Sequence, residues 1–99
     1  MRRAAKVDAN QVAIVAGLRK LGCSVQPLHA VGGGVPDLLV GYGARNYLLE
    51  VKNLEGRGKK LTPDQVDWHD AWRGSVYTVC SLEDAIKVMC IPVHGAGNG

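Results

Sequence analysis

Several features that define common protein classes are missing from this chain of 99 residues. No run of about 18 apolar residues could span a bilayer. No apolar segment of a signal peptide follows the first three residues, and no internal repeat is visible. We therefore expect a soluble, cytoplasmic protein with one domain over residues 1–99 and a single core of modest size.

Cysteine and net charge are also too scarce to identify a class. Cys23, Cys80 and Cys90 are odd in number, widely spaced and form no Cys-x-x-Cys pair. This argues against a disulfide framework or a zinc site and predicts reduced, largely buried thiols. Twelve basic and nine acidic residues give a net charge of +3, which by itself does not indicate nucleic-acid binding.

What the chain does contain is a pair of short apolar strands, each carrying an acidic residue. Residues 34–40 read Gly-Val-Pro-Asp-Leu-Leu-Val, and residues 49–52 read Leu-Glu-Val-Lys. The link between them is too short for a crossover connection, so the strands can pair only antiparallel. The sequence therefore predicts a hairpin with Gly43 and Ala44 at its turn.

The register of this hairpin brings charged side chains together. With the turn centred on Gly43 and Ala44, Asp37 lies opposite Glu50, and opposed Cβ atoms are about 4.5–5.5 Å apart. Side chains alternate between the two faces of a strand, so Lys52 shares the face of Glu50. Two carboxylates and a lysine thus converge, and together they could hold a divalent cation.

Ordinary solvated charges are the alternative interpretation, because acids on a half-exposed hairpin are common. Three details favour a metal site. The strands are apolar enough to be buried on both faces, where unpaired acids are costly. Opposed like charges destabilise a sheet unless a positive group lies between them. Residues 32–34 are all glycine and leave an open approach to Asp37.

The rest of the chain supplies helices and further strands around this hairpin. Capping residues, apolar periodicity and turn residues predict the order α-β-β-β-α-β-α, a mixed sheet flanked by helices of the α/β (α+β) class. The predicted elements are a helix capped by Asp8, with Ile14, Val15, Leu18 and Leu21 buried and its end at Leu21-Gly22; an edge strand over 23–31; the hairpin; a loop over 53–60; a helix capped by Thr62 and stopped by Gly74; a strand over 75–80; a helix over 81–89; and a frayed tail over 94–99.

At these residues the chain resembles the VRR-NUC family of the PD-(D/E)XK nuclease superfamily. The resemblance covers nearly all of the chain and includes both hairpin strands and the basic loop after them. It also includes residues 61–69, Leu-Thr-Pro-Asp-Gln-Val-Asp-Trp-His, which are similar to the family's Leu-Ser/Thr-x-x-Gln-x-x-Trp/Phe-His pattern. Pro-Asp…Glu-x-Lys alone is a weak motif, but the Gln-x-x-Trp-His helix behind it makes the match specific.

The resemblance implies a restriction-endonuclease-like core and a Mg²⁺- or Mn²⁺-dependent phosphodiesterase acting on DNA. Small free-standing members resemble phage enzymes that resolve branched DNA, which would place this chain in the cytoplasm of a host. Asp37 and Glu50 would hold the metal, and the main-chain carbonyl of Val51 would be a third ligand. Lys52 would orient or help deprotonate the attacking water.

The leading functional hypothesis is a structure-selective DNA endonuclease, a Holliday-junction resolvase acting as a homodimer. Its interface is expected in the apolar C-terminal third or on an exposed helix face. A nicking or flap nuclease of phage replication or restriction is the alternative enzyme. A non-catalytic DNA-binding module is the alternative from another class.

Two glutamines have two interpretations each. Gln11 lies on the buried stripe of the first helix, where many relatives carry a glutamate near the metal; it either serves the site or completes the cap formed by Asp8. Gln65 either serves the site, as the family pattern favours, or completes the cap formed by Thr62. Both are candidate catalytic residues.

Contacts with DNA are expected through the backbone and the shape of the substrate, since no base-reading motif is present. The basic loop after the catalytic strand would follow phosphates, and His69 would make a DNA-phosphate or structural contact. Trp68 and Trp72 could stack on bases, but aromatics one turn apart on a helix are more typical of a core. The predicted DNA-binding residues are Arg57, Lys59, Lys60 and His69.

Overall fold

The computed structural model describes residues 9–53 and 60–92. These form a four-stranded mixed sheet and three helices, an α+β arrangement in the predicted order. None of the helices in these two ranges has the length and apolarity that a bilayer span needs. The elements are α1 (Ala9–Lys20), β1 (Ser24–Pro27), β2 (Leu38–Tyr42), β3 (Arg45–Val51), α2 (Pro63–Ala71), β4 (Tyr77–Val79) and α3 (Leu82–Met89).

The predicted hairpin register is confirmed. β2 and β3 pair antiparallel with Leu38 opposite Leu49 and Tyr42 opposite Arg45. Gly43 and Ala44 form the two-residue turn with φ of 60° and 65°, the positive values that match the twist of a tight hairpin. The same register extended by one residue sets the position of Asp37 opposite that of Glu50.

The sheet order is β1-β2-β3-β4, so β1 is the edge strand that its proline predicted. β1, β2 and β3 form an antiparallel meander, and β4 joins β3 in parallel after the crossover that contains α2. A parallel neighbour requires such a crossover. In this topology the C-terminal end of β3 lies between β2 and β4.

One face of the sheet carries the core. Alternate residues of the strands face α1 and α3, and the helices contribute one apolar stripe each. The cluster contains Ile14, Leu18, Cys23, Leu38, Val40, Leu49, Val51, Val79, Ala85, Met89 and Ile91. The other face carries Leu39, Leu48 and Glu50, which follow from the alternation of side chains along β2 and β3.

Several predicted boundaries were too long. β1 ends at Pro27 and not at residue 31, and β4 spans Tyr77–Val79 and not residues 75–80. α2 ends at Ala71, because Trp72 adopts an extended conformation with φ −72° and ψ 128° before Gly74 is reached. The Asp8 cap, most of the basic loop and residues 94–99 lie outside the described residues.

Some of the predicted burial was wrong, in two cases because the second face of the sheet, which carries Leu39, Leu48 and Glu50, is only partly covered. β2 is not buried on both faces, since Leu39 is 37% exposed. The tryptophans of α2 are not core residues, because α2 has no buried residue and Trp72 is 46% exposed. Leu21 lies beyond the last turn of α1 and is also exposed.

Part of the apolar C-terminal third belongs to the core. Val79, Met89 and Ile91 belong to the core and are at most 6% exposed. All three cysteines are free. Cys23 is buried, Cys80 is partly buried and Cys90 is exposed. The expectation of largely buried thiols therefore holds for one position of three.

Candidate active site

Asp37 is fixed from two sides at the start of β2. Its main-chain oxygen accepts a hydrogen bond from the N–H of Leu28 at 2.7 Å, which extends the β1–β2 pairing. Its Oδ2 accepts a hydrogen bond from the N–H of Val51, also at 2.7 Å. A carboxylate bonded to a main-chain donor has a restricted orientation, so the hairpin itself sets where its other oxygen points.

Glu50 is the buried member of the pair, with 1% of its surface exposed. Its Oε2 accepts a hydrogen bond from Nε2 of Gln65 at 2.8 Å and lies 3.3 Å from Nζ of Lys52. Its Oε1 is buried and has no hydrogen-bond partner among the described residues. An unsatisfied carboxylate oxygen in a protein interior is costly, so this atom is the most unusual feature of the site.

The electrostatics of Glu50 reflect this burial. The pKa of Glu50 is raised to about 7, chiefly because burial removes the carboxylate from water and secondly because the charge of Asp37 is close. The charge of Lys52, whose Nζ lies 3.3 Å from Oε2, lowers the pKa and offsets part of this rise. The carboxyl group is therefore poised to exchange a proton near neutral pH.

Gln65 makes the contacts that both interpretations require, since it completes the cap of α2 and also bonds to Glu50 and Lys52. Its Nε2 donates to Glu50, and its Oε1 accepts from Nζ of Lys52 at 2.9 Å. The same Oε1 accepts from the N–H of Thr62 at 2.8 Å, while the Thr62 hydroxyl accepts from the N–H of Gln65. The capping box of α2 thus orients the amide that holds the two charged groups of β3.

The three consecutive glycines do not simply leave an open approach to Asp37. All three have positive φ, and a Cβ at Gly32 or Gly33 would meet nothing within 4 Å. A Cβ at Gly34, however, would collide with the main-chain oxygen of Asp64. Gly34 is therefore a close-packing position where the loop before β2 contacts the first turn of α2.

Asn10 supports the site and was missed by the sequence analysis. Its Nδ2 donates to the main-chain oxygens of Lys52 and Cys80, each at 3.1 Å. It thereby connects the first turn of α1 to the ends of β3 and β4. The only signal in the sequence was a polar residue beside Gln11 on a helix that packs on a sheet, and that pattern does not specify a partner.

The remaining predicted residues lie in different surroundings. Gln11 is 7% exposed, so it faces inward as predicted, and it borders a groove of about 310 Å³ between α1 and β1. The Nε2 of His69 is buried without a partner among the described residues, which favours the structural role over a phosphate contact. Lys60 is exposed, and Arg57 and Lys59 fall outside the described residues.

The donor set fits a magnesium-like cation better than zinc. Among residues 9–53 and 60–92, no group of three or more His, Cys, Asp or Glu side chains is arranged to hold a metal. Zinc sites require three or four such ligands, whereas Mg²⁺ binds through one or two carboxylates and keeps several waters. Asp37 and Glu50, with the unpartnered Oε1, satisfy the second description.

No family model matches this chain, and neither a curated protein nor a solved structure matches it. The functional interpretation therefore depends on the chemistry of the site.

Proposed function

We propose that this chain is a divalent-metal-dependent DNA endonuclease with a restriction-endonuclease-like core. The observation that carries the proposal is the buried, unpartnered Oε1 of Glu50 beside the fixed carboxylate of Asp37. Lys52, with 10% of its side chain exposed, lies against the carboxylate of Glu50. The two carboxylates could hold a cation, and the lysine beside them could contact a phosphate.

The residues of the site would divide the work of phosphodiester hydrolysis. A bound Mg²⁺ or Mn²⁺ would supply charge neutralisation at the phosphate and a lowered pKa for its water. Asp37 and Glu50 would hold that cation, with the carbonyl of Val51 as a further ligand. Lys52 would orient the attacking water and stabilise developing negative charge, and Gln65 would fix the positions of Glu50 and Lys52.

Two substrate classes follow from this proposal. A homodimer with two sites related by two-fold symmetry could resolve a Holliday junction by paired cuts. A monomer would act as a nicking or flap nuclease. The burial of Val79, Met89 and Ile91 favours the second, because it removes much of the apolar surface on which the expected dimer interface depended.

The test is cleavage of labelled four-way junction, flap, duplex and single-stranded DNA in EDTA, Mg²⁺ or Mn²⁺. We expect cleavage only with a divalent cation, and a loss of at least about 10²-fold in D37N, E50Q and K52A. Asp70→Asn is the matched control, because it neutralises an exposed carboxylate on α2. Metal-independent cleavage, or full activity in E50Q, would contradict the proposal. DNA binding without cleavage would support the non-catalytic alternative.

A further inference from the structure

An aromatic surface lies at the end of α2 that the catalytic proposal does not use. The rings of Trp68 and Trp72 are stacked, with centroids 4.6 Å apart and planes inclined by 17°. Trp72 is nevertheless 46% exposed. Trp68 covers one face of the Trp72 ring and Gly74 lies close to its Nε1, so the solvent contact of Trp72 belongs to the rest of the residue. A stack of two rings that ends in solvent can accept a third ring.

This ring borders a groove on the second face of the sheet. The groove has a volume of about 460 Å³, and Leu39, Leu48, Trp72 and Gly74 are among the residues that line it. Leu39 is 37% exposed there. Asn46, Tyr47 and Ser75 complete the lining. The groove therefore combines an aromatic wall, an aliphatic floor and a volume in the range of small-molecule sites.

The groove and the candidate active site share one face of the sheet. Leu48 and Glu50 are two residues apart on β3, and alternate residues of a strand point to the same face. Their separation along the strand is about 7 Å, at 3.3–3.4 Å per residue. That distance corresponds to about two stacked nucleotides, at 3.4 Å each along a DNA strand.

We propose that this groove, which we name the Trp72 groove, binds an unpaired DNA base one or two nucleotides from the phosphate at Glu50. The inference rests on the proposed nuclease function and specifies its substrate as DNA with unpaired nucleotides at a branch. Stacking on an aromatic side chain tolerates any base, because every base presents a π face. The groove would thus select for strand separation without reading sequence.

A second copy of the chain is the competing occupant, and the exposed area argues against it. A half-exposed tryptophan offers about 100 Å² of contact, whereas a stable interface buries about 800 Å² on each partner. Leu39 adds only part of one side chain. One planar base is the occupant that matches the size of this surface.

The experiment is DNA binding in EDTA, measured by fluorescence anisotropy with a labelled flap. The flap carries thymidines in its single-stranded arm, and matched flaps carry an abasic residue at successive arm positions. We expect an abasic residue near the branch to weaken binding by about ten-fold in the wild-type protein. Trp72→Leu should weaken binding to the intact flap by a similar factor, with no further loss from the abasic residue.

Two variants control for folding and for general apolar contact. Trp72→Phe keeps an aromatic ring and should retain most of the dependence on the base, so it tests the inference even if Trp72→Leu unfolds. Val12→Ala shortens an apolar side chain on α1 that is 56% exposed, and it should leave binding unchanged. Circular dichroism melting would establish that each variant is folded.

The outcomes separate this inference from the nuclease proposal. An abasic effect of equal size in wild type and Trp72→Leu, or no abasic effect in wild type, would overturn the groove assignment while Mg²⁺-dependent cleavage could still stand. Loss of a dimer in Trp72→Leu by sedimentation, without any abasic effect, would assign the surface to a second copy. Absence of cleavage with any cation, beside a base-dependent affinity that requires Trp72, would overturn only the catalytic proposal.

Discussion

The two faces of the sheet in this small domain are organised by different forces. The first face is apolar, and α1 and α3 cover it so completely that Leu38, Val40 and Leu49 are fully buried. The second face carries Glu50 and Lys52 and is covered only in part by α2, which has no buried residue. Burial of apolar surface explains the first arrangement, whereas hydrogen bonds from Gln65 explain the position of α2 over the second.

This difference indicates where the sequence can vary without loss of the fold. The first face supplies the hydrophobic stabilisation on which a domain of this size depends. On the second face, the side chain of Glu50 is deeply buried, and a buried polar group is unfavourable unless it is satisfied. We therefore expect substitutions on the first face to change stability and substitutions on the second to change mainly binding and activity.

Leu38 and Leu39 provide the most direct test of this contrast, since they are neighbours that point to opposite faces. Leu38 is 0% exposed and Leu39 is 37% exposed. We expect Leu38→Ala to lower the free energy of unfolding by about 2–5 kcal/mol through the lost contacts and the cavity. Leu39→Ala should lower it by less than about 1 kcal/mol. Urea denaturation of both variants measures this, and equal losses would show that both faces contribute to one core.

Glu50 should make the stability of the metal-free protein depend on pH. Its pKa in the folded protein is about 7, above the ordinary value of 4.5. The folded state therefore binds the proton more tightly, so this contribution to stability is complete below pH 4.5 and is lost as the pH rises through 7. The loss between those limits should reach up to about 3 kcal/mol, at 1.36 kcal/mol per unit of pKa.

Thermal denaturation in EDTA over this pH range, compared between wild type and E50Q, isolates that contribution. The glutamine variant cannot titrate at this position, so the difference between the two curves should disappear at low pH and favour the variant above pH 7. Added Mg²⁺ should reduce the dependence, because a cation competes with the proton for the carboxylate. Parallel curves for the two proteins would mean that the folded-state pKa of Glu50 is not raised.

Substitution of Gln65 should cause the next largest loss of stability. Gln65→Ala removes its bonds to Glu50, Lys52 and Thr62 together, and we expect a loss of about 2 kcal/mol in stability with a lower kcat. Thr62→Ala is the matched variant, because it removes only the hydroxyl cap and should cost about 1 kcal/mol without lowering kcat. Equal effects on kcat would show that α2 matters as a whole and that the amide has no separate role.

The contrast between the faces also explains which predictions from sequence succeeded. The hairpin register follows from a two-residue turn and from alternation, which are local rules, and it sets the position of Asp37 opposite that of Glu50. The capping box of α2 is local as well. These rules identified the acids, Lys52 and Gln65, although the metal itself stays a prediction.

The errors concern packing between elements that are distant in sequence. Two tryptophans one turn apart suggested a buried stripe, yet α2 lies over the open face of the sheet, and only tertiary structure determines that position. The run of three glycines suggests open space at Gly34, whereas this residue packs against the main chain of Asp64, thirty residues further along. Asn10 bonds to residues after β3 and β4, and no local pattern specifies such a partner.

Substitution of Asn10 should change the stability least. It tests whether α1, which covers the first face, also helps to hold the strand end that carries Lys52. Its amide bonds to the carbonyls of Lys52 and Cys80, so Asn10→Ala should cost only about 1 kcal/mol, partly offset by the better helix propensity of alanine. The strand end that carries Lys52 would be less firmly held, so we expect kcat for DNA cleavage to fall while KM stays nearly constant. Val12→Ala, at an exposed position of the same helix, should lower neither the stability nor kcat. A loss of stability in Asn10→Ala with unchanged kcat would mean that the position of Lys52 is fixed by Glu50 and Gln65 alone, and that α1 serves only the core.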